Sequence, residues 1–181
     1  MIKRIIMWLI FIAIIGWAAL LYYSGYLIKI VITQQEMWPY TLVYEAYTGD
    51  YNTVGPVMDK LYNWLIDDVQ IKTDKWFGIY YDDPAVVAKE QLRSDIGVIV
   101  DDQYSSELFR LQGKYAVKTR PKQQALVAEF PYQSQLSIIA GVMKVYPELN
   151  KYVIANNLQM REVMEIYDRT AKKIFYVMPI K

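Results

Sequence analysis

Cysteine and histidine are absent from all 181 residues. Their absence excludes disulfides, thiol nucleophiles, histidine acid–base chemistry and the usual zinc sites, and leaves only carboxylates to hold a metal. An excess of either charge is also missing, with 20 Lys and Arg against 19 Asp and Glu. Setting aside Lys3, Arg4 and Lys29 leaves 17 basic residues against those 19 acidic ones, so the remainder is slightly acidic. Phosphate backbones require a basic surface, and nucleic acid is therefore not an expected partner.

One long apolar run is present. From Ile5 to Ile28 the chain carries 24 residues without a charged side chain, enough to span a bilayer. Ile, Leu and Phe fill ten positions between Ile5 and Leu21, and their insertion gains roughly 3 to 6 kcal/mol. No helical phase offers the polar face that a soluble surface helix needs. Trp8, Trp17, Tyr22, Tyr23 and Tyr26 include rings suited to the membrane interfaces. A cleaved signal peptide is the competing reading, since Ala18 and Ala19 are small. The run exceeds the usual h-region of about 7 to 15 residues, and Leu20 to Tyr23 supplies no small-x-small site. Residues 1–26 are therefore read as a single-pass anchor, spanning through residues 5–26, and residues 27–181 as one domain. Lys3 and Arg4 outweigh Lys29, which favours a cytoplasmic N-terminus and an exported domain.

Beyond the anchor lie 14 of the 17 tyrosines, rings with polar tips that suit sheets, pockets and interfaces. Leu27 to Thr33 reads as a strand and Thr41 to Tyr47 as a second, followed by a turn at Gly49 to Asn52 in which Asn52 or Thr53 caps a helix. Val54, Val57, Met58, Leu61 and Leu65 form one apolar stripe of that helix, with Pro56 in its first turn. Lys75 to Asp82, Ile96 to Val100, Tyr115 to Thr119 and Ala125 to Phe130 read as strands. A second helix follows Pro131 with Leu136, Ile139, Ala140 and Met143 on its apolar side, and restarts after a bend at Pro147. Val163 to Asp168 and Lys173 to Met178 close as a hairpin.

The plan occurs twice. Gly55-Pro-Val-Met58 is echoed by Gly141-Val-Met143, and Ile79-Tyr-Tyr-Asp82 by Ile166-Tyr-Asp168, which aligns Tyr81 with Tyr167. Two strand, helix, strand, strand units side by side predict an α+β fold: an antiparallel sheet with both helices on one face and a cleft between the halves. Asp82, Asp83, Asp101 and Asp102 read as solvated turns, without calcium-loop spacing. No cofactor is expected.

Tyr80-Tyr-Asp-Asp-Pro84, Leu92-Arg-Ser-Asp-Ile-Gly97, Glu129-Phe-Pro-Tyr132, Met164-Glu-Ile-Tyr167 and Met178-Pro-Ile180 follow one another in an order that resembles the GyrI-like small-molecule-binding domain, of the effector-binding and SOUL-type superfamily. The apolar start and Tyr23-Ser-Gly25 look closest to its membrane-anchored branch, which includes a mammalian autophagy receptor of the endoplasmic reticulum. The resemblance implies a duplicated fold with a cleft in which a carboxylate ringed by aromatics receives lipophilic cations, and it puts that carboxylate at Glu165.

Glu165 also stands out by position, mid-strand between Met164 and Ile166, where a carboxylate is costly unless paired, hydrogen-bonded or facing a wet cavity; an exposed place on the solvent face is equally open. Strand alternation puts Tyr167 on its face, and the repeat adds Tyr81. Tyr44, Trp64, Phe130, Tyr132 and Tyr176 are secondary candidates. The leading expectation is a membrane-tethered module that binds a small apolar, aromatic or cationic molecule. A hydrolase of a reactive small molecule using Glu165 with Tyr81 or Tyr167 is one alternative, and an adaptor or receptor that docks a protein or lipid is the other, its protein partner unspecified. A receptor that works through a long tail beyond the domain is not expected, because the sequence stops at Lys181.

Overall fold

A computed structural model describes residues 2–37, 39–104, 106–108 and 113–180; Met1 and Lys181, at the outer limits of the two expected segments, lie outside them. Helix α1 (Ile2–Tyr23) is long and apolar enough to cross a membrane, and none of it is buried against the rest of the chain. The remainder is α+β. Strands β1 (Ile32–Met37), β2 (Tyr40–Thr48), β3 (Lys75–Tyr80), β4 (Arg93–Val100), β5 (Ala116–Arg120), β6 (Gln123–Pro131), β7 (Val163–Asp168) and β8 (Lys173–Pro179) form one antiparallel sheet, curled into a half-barrel. Helix α2 (Gly55–Trp64) follows β2, and helix α3 (Gln135–Ala155) follows β6.

The strand order β1-β6-β8-β7-β3-β4-β2-β5 makes the duplication explicit. Read outward from the centre, one half runs β3, β4, β2, β5 and the other β7, β8, β6, β1. The halves meet where β3 pairs with β7, Trp76 facing Tyr167 and Gly78 facing Glu165. Helix α2 and the π-helical turn that continues it (Leu65–Val69) cover Val43, Val98 and Val100 with Leu61 and Leu65. Helix α3 covers Leu126, Ala128, Phe130, Tyr167, Tyr176 and Met178. Both helices therefore lie on the same face. Alternate residues, among them Leu42, Phe77, Ile79, Ile99, Val127 and Ile166, fill the interior of the half-barrel on the other face.

Several expectations need correction. The strand placed at Leu27 to Thr33 begins only at Ile32. Before it, Ser24 to Ile28 turns on itself, with Ile28 N–H donating to Gly25 O. Gly25 takes a φ of +80°, and a Cβ there would strike Pro131; only glycine turns the chain and seats it this closely. Asn52 and Thr53 do not cap α2. They belong to a 3-10 turn held by the Asp50 carboxylate, and α2 starts at Gly55 without a side-chain cap.

Helix α3 runs unbroken through Pro147. That residue lies on the exposed face, where the carbonyl its missing N–H would have met can be solvated. The apolar side expected for α3 also divides. Ala140 faces the sheet with Ser137, Gly141, Val145, Leu149 and Val153, while Leu136, Ile139 and Met143 point outward.

Candidate functional site

Glu165 is the buried carboxylate at the centre of the sheet, 2 % exposed, on the helix-covered face. Across the ladder its neighbours are Gly78 on β3 and Tyr176 on β8. Tyr146, one residue before Pro147 on α3, donates to Oε1 at 2.8 Å, and Tyr167, two residues along β7, donates to Oε2 at 2.5 Å. Neither donor carries charge. Burial therefore raises the Glu165 pKa above the ordinary carboxylate range, and the two hydroxyl bonds oppose that rise only in part.

The surrounding phenols remain protonated. Burial first, and then the Glu165 charge, pushes Tyr146, Tyr167 and Tyr80 above the usual phenol range. The neighbouring Tyr167 hydroxyl opposes that rise at Tyr80 only in part. The ring of Tyr80 folds back over Gly78, where a Cβ would lie 2.7 Å from the Tyr80 oxygen. Edge-on aromatic pairs continue the wall: Tyr51 with Tyr80 at 4.7 Å, Tyr146 with Tyr176 at 5.9 Å, and, tilted, Tyr132 with Tyr167 at 6.0 Å. Such pairs fix ring orientation and add about 0.5–1.5 kcal/mol each.

Of the residues singled out in the sequence, Glu165, Tyr167, Tyr132 and Tyr176 come together here, with Phe130 buried beneath α3. Tyr81 does not, so the repeat does not carry it to the position of the other half equivalent to Tyr167. It lies on the other face, donating to Asp95 at 2.6 Å beside Lys118. Tyr44 is also on that side, with the Lys118 ammonium 4.3 Å from its ring centroid. Trp64 packs on Tyr115 at the far end of α2, under Lys114. Tyr80 and Tyr146 were missed. The first shares the carboxylate's face because the β3–β7 register puts Trp76, Gly78 and Tyr80 on the side of Glu165 and Tyr167.

Tyr176 carries a further feature. Its hydroxyl is buried and has no hydrogen-bond partner among the described residues. A Cβ on Gly141 would sit 2.3 Å from that oxygen, so the glycine lets α3 settle onto the sheet. Gly141→Ala should cost about 1–3 kcal/mol through overpacking, and Tyr176→Phe alone should be near neutral because it removes an unsatisfied group. In the double variant the hydroxyl clash is gone, and a cycle of urea unfolding curves should show coupling on the order of 1 kcal/mol. Additive losses would show that the hydroxyl is not what the glycine accommodates.

No group of three or more carboxylates converges on a metal-sized site among the described residues. Asp82, one of the paired aspartates, receives the backbone N–H and the guanidinium of Arg93.

Residues 31–177 match the model of a family described as the GyrI-like small molecule binding domain. The chain is 25% identical over 167 residues to the testis-expressed protein 264 homolog of Mus musculus, covering 87% of this chain and 51% of that protein. It is 42% identical over 57 residues to the DNA gyrase inhibitor of Serratia proteamaculans (strain 568), covering 26% and 36%. The chain thus spans about half the length, or less, of the curated relatives it matches. Among solved structures, the C-terminal domain of EcmrR aligns with a TM-score of 0.57 at 12% identity, over 85% of this chain and 99% of that one. SAV2435 bound to tetraphenylphosphonium aligns with a TM-score of 0.54 at 18% identity, over 83% and 94%. At these identities the likeness is one of fold.

Proposed function

Because this chain belongs to the GyrI-like small molecule binding domain family, we propose that it is a membrane-tethered binding module whose ligand is a small lipophilic cation or a neutral aromatic received at Glu165. In this reading residues 1–26 are the anchor, the N-terminus is cytoplasmic and the domain lies on the opposite side. The observation that carries it is a buried carboxylate held by two neutral hydroxyls, with no ion-pair partner among the described residues. A buried charge without a counterion is costly. A bound cation would supply the missing charge, and the tyrosine faces around it would contribute about 0.5–2 kcal/mol per good contact. The binding set is Glu165, Tyr167, Tyr132 and Tyr176 with Tyr80 and Tyr146 added. Tyr146, whose hydroxyl donates to Oε1, is the cover in this reading. The tetraphenylphosphonium held by SAV2435 supplies the first probe.

The test is thermal unfolding of the full chain in lipid nanodiscs, followed by tryptophan fluorescence, with tetraphenylphosphonium and with a neutral aromatic of similar size. At a free concentration 100 times Kd, linkage stabilises by about 2.7 kcal/mol, a rise of roughly 5–10 °C for a domain of this size. Glu165→Gln should lose the response to the cation and keep any response to the neutral compound. Partition into lipid is the same for both proteins, so an equal rise in each would discard the carboxylate as the recognition element.

A further inference from the structure

The exposed side of α3 has an unusual composition for a water-facing helix. Its first nine residues, Gln135 to Met143, contain no charge. Four of them expose large apolar side chains: Leu136 at 43 %, Ile139 at 58 %, Val142 at 40 % and Met143 at 61 %. Leu27 and Val31, on the segment joining α1 to β1, are likewise 67 % and 60 % exposed. Helix α2, the counterpart in the other half, carries no such face; Asp59 and Lys60 interrupt it.

The joining segment and the apolar part of α3 are adjacent. Gly25 packs on Phe130 and Pro131, at the end of β6 that leads into α3. Lys144, the first charged residue of α3, donates to the carbonyls of Tyr26 and Ile28 and lies over the Tyr26 ring. Helix α1 ends at Tyr23, only a turn earlier, so the apolar face is held at the level where α1 leaves the bilayer. The ladders add a charged rim. Pro131 pairs with Lys173 and Asp168 with Lys173, which brings the β7–β8 hairpin, with its exposed Arg169 and Lys172, to this same end of the sheet. An apolar helix face bordered by Lys and Arg next to a spanning helix fits an interfacial helix on a bilayer surface.

We propose that the first half of α3, with Leu27 and Val31, docks into the headgroup–acyl boundary of the bilayer that α1 crosses, so that the domain lies on the membrane. The inference rests on α1 being a membrane anchor. It goes beyond tethering, because an anchored domain on a free linker would leave these side chains in water. Docked, they insert to a depth of about 5–10 Å, and the domain keeps one orientation to the bilayer.

The chain has no cysteine, so single cysteines can be labelled without a background. Ile139→Cys, Met143→Cys, Glu90→Cys and Ile10→Cys are each introduced into the full chain and labelled with an environment-sensitive fluorophore. Each is placed one copy per nanodisc, and is quenched by iodide from water or by lipids brominated at shallow and deep positions. Glu90 is exposed between β3 and β4, at the opposite sheet end from Pro131 because Tyr80 pairs with Val163 while Lys75 pairs with Asp168. Labels at Ile139 and Met143 should be quenched by shallow brominated lipid and resist iodide several-fold better than the label at Glu90. Adding Val142→Asp should return the Ile139 label to water. If the Ile10 label is quenched by deep brominated lipid while the Ile139 and Met143 labels behave like Glu90, the anchor stands and the docking is overturned. Protection of Ile139 from both quenchers also overturns it, in favour of cover by protein. Failure of deep lipid to quench Ile10 overturns the anchor itself.

Discussion

Gly97→Val should abolish the cooperative unfolding transition of the domain, and Gly97→Ala should weaken it by about 4 kcal/mol, in the range reserved for identifiable backbone or core faults. Gly97 lies on β4 between Tyr44 of β2 and Phe77 of β3. A Cβ built there would meet the Val43 carbonyl oxygen at 2.0 Å and the Tyr44 Cα at 2.8 Å. Those atoms belong to the neighbouring strand's backbone, so no side-chain rotation relieves the overlap. In a flat sheet a Cβ clears the adjacent strand; here β2 folds inward across Gly97. The glycine is therefore where the sheet acquires its curl. Straightening it would uncover Leu42, Phe77 and Ile99, which pack inside the half-barrel without help from either helix.

Total domain stability is normally about 5–15 kcal/mol, so a loss of this size removes much of it. The matched control is Gly55→Ala, at the first position of α2, where a Cβ meets nothing within 4 Å. It should be neutral or stabilise by about 0.4–1 kcal/mol. Chemical unfolding of the full chain in nanodiscs, followed by near-ultraviolet circular dichroism, distinguishes the two. Equal, small effects at Gly97 and Gly55 would show that β2 can retreat from β4, and the account of the curl would fall.

The α+β class, the duplication and the α2 stripe were legible because each rests on a repeated pattern in which a single substitution changes little. The site was legible only in part. In a strand the face changes at every residue, so tandem Tyr80 and Tyr81 offer both faces, and matching the Tyr-Asp pairs in Ile79–Asp82 and Ile166–Asp168 chose the wrong one. Hydrogen-bond register decides it: Gly78 opposes Glu165, which puts Tyr80 on the carboxylate's face. Helix α3 misleads for a different reason. In its first half Leu136, Ile139 and Met143 point outward while Ser137, Ala140 and Gly141 point inward, because Phe130 and Tyr176 already fill the space beneath Ala140 and Gly141. Hydrophobic periodicity ranks residues by apolarity and not by the room left for them, so it selected Leu136, Ile139 and Met143. Tyr146 was hidden by the same error, since its face could not be assigned without knowing which side of α3 meets the sheet.

Glu165→Gln should make the folded domain more stable at alkaline pH, above the raised pKa of the folded-state carboxyl, while removing cation recognition. Burial without a counterion raises the carboxyl pKa in the folded state, whereas the unfolded chain titrates in the ordinary carboxylate range. Between these two values the folded state holds the proton more tightly. The parent protein therefore loses stability as pH rises through that window and stays at the lower level above the folded pKa. Glutamine has no charge to desolvate. Its carbonyl oxygen can accept from one tyrosine hydroxyl while its amide donates to the other, so both hydroxyl contacts can persist. The expected gain above the window is about 0.5–2 kcal/mol, the usual size of a stabilising substitution, or roughly 1–8 °C in Tm. The difference between variant and parent should shrink as pH falls below the folded pKa, because Glu165 is then neutral as well. Thermal unfolding across pH in nanodiscs reads this directly, and the sign at alkaline pH is decisive. A less stable glutamine variant there would mean that the Tyr146 and Tyr167 hydroxyls compensate the carboxylate fully. The site would then be a satisfied structural network with no charge left to recruit a cation. A more stable variant that no longer responds to tetraphenylphosphonium would mean that the domain gives up folding stability to keep a charge ready for its ligand.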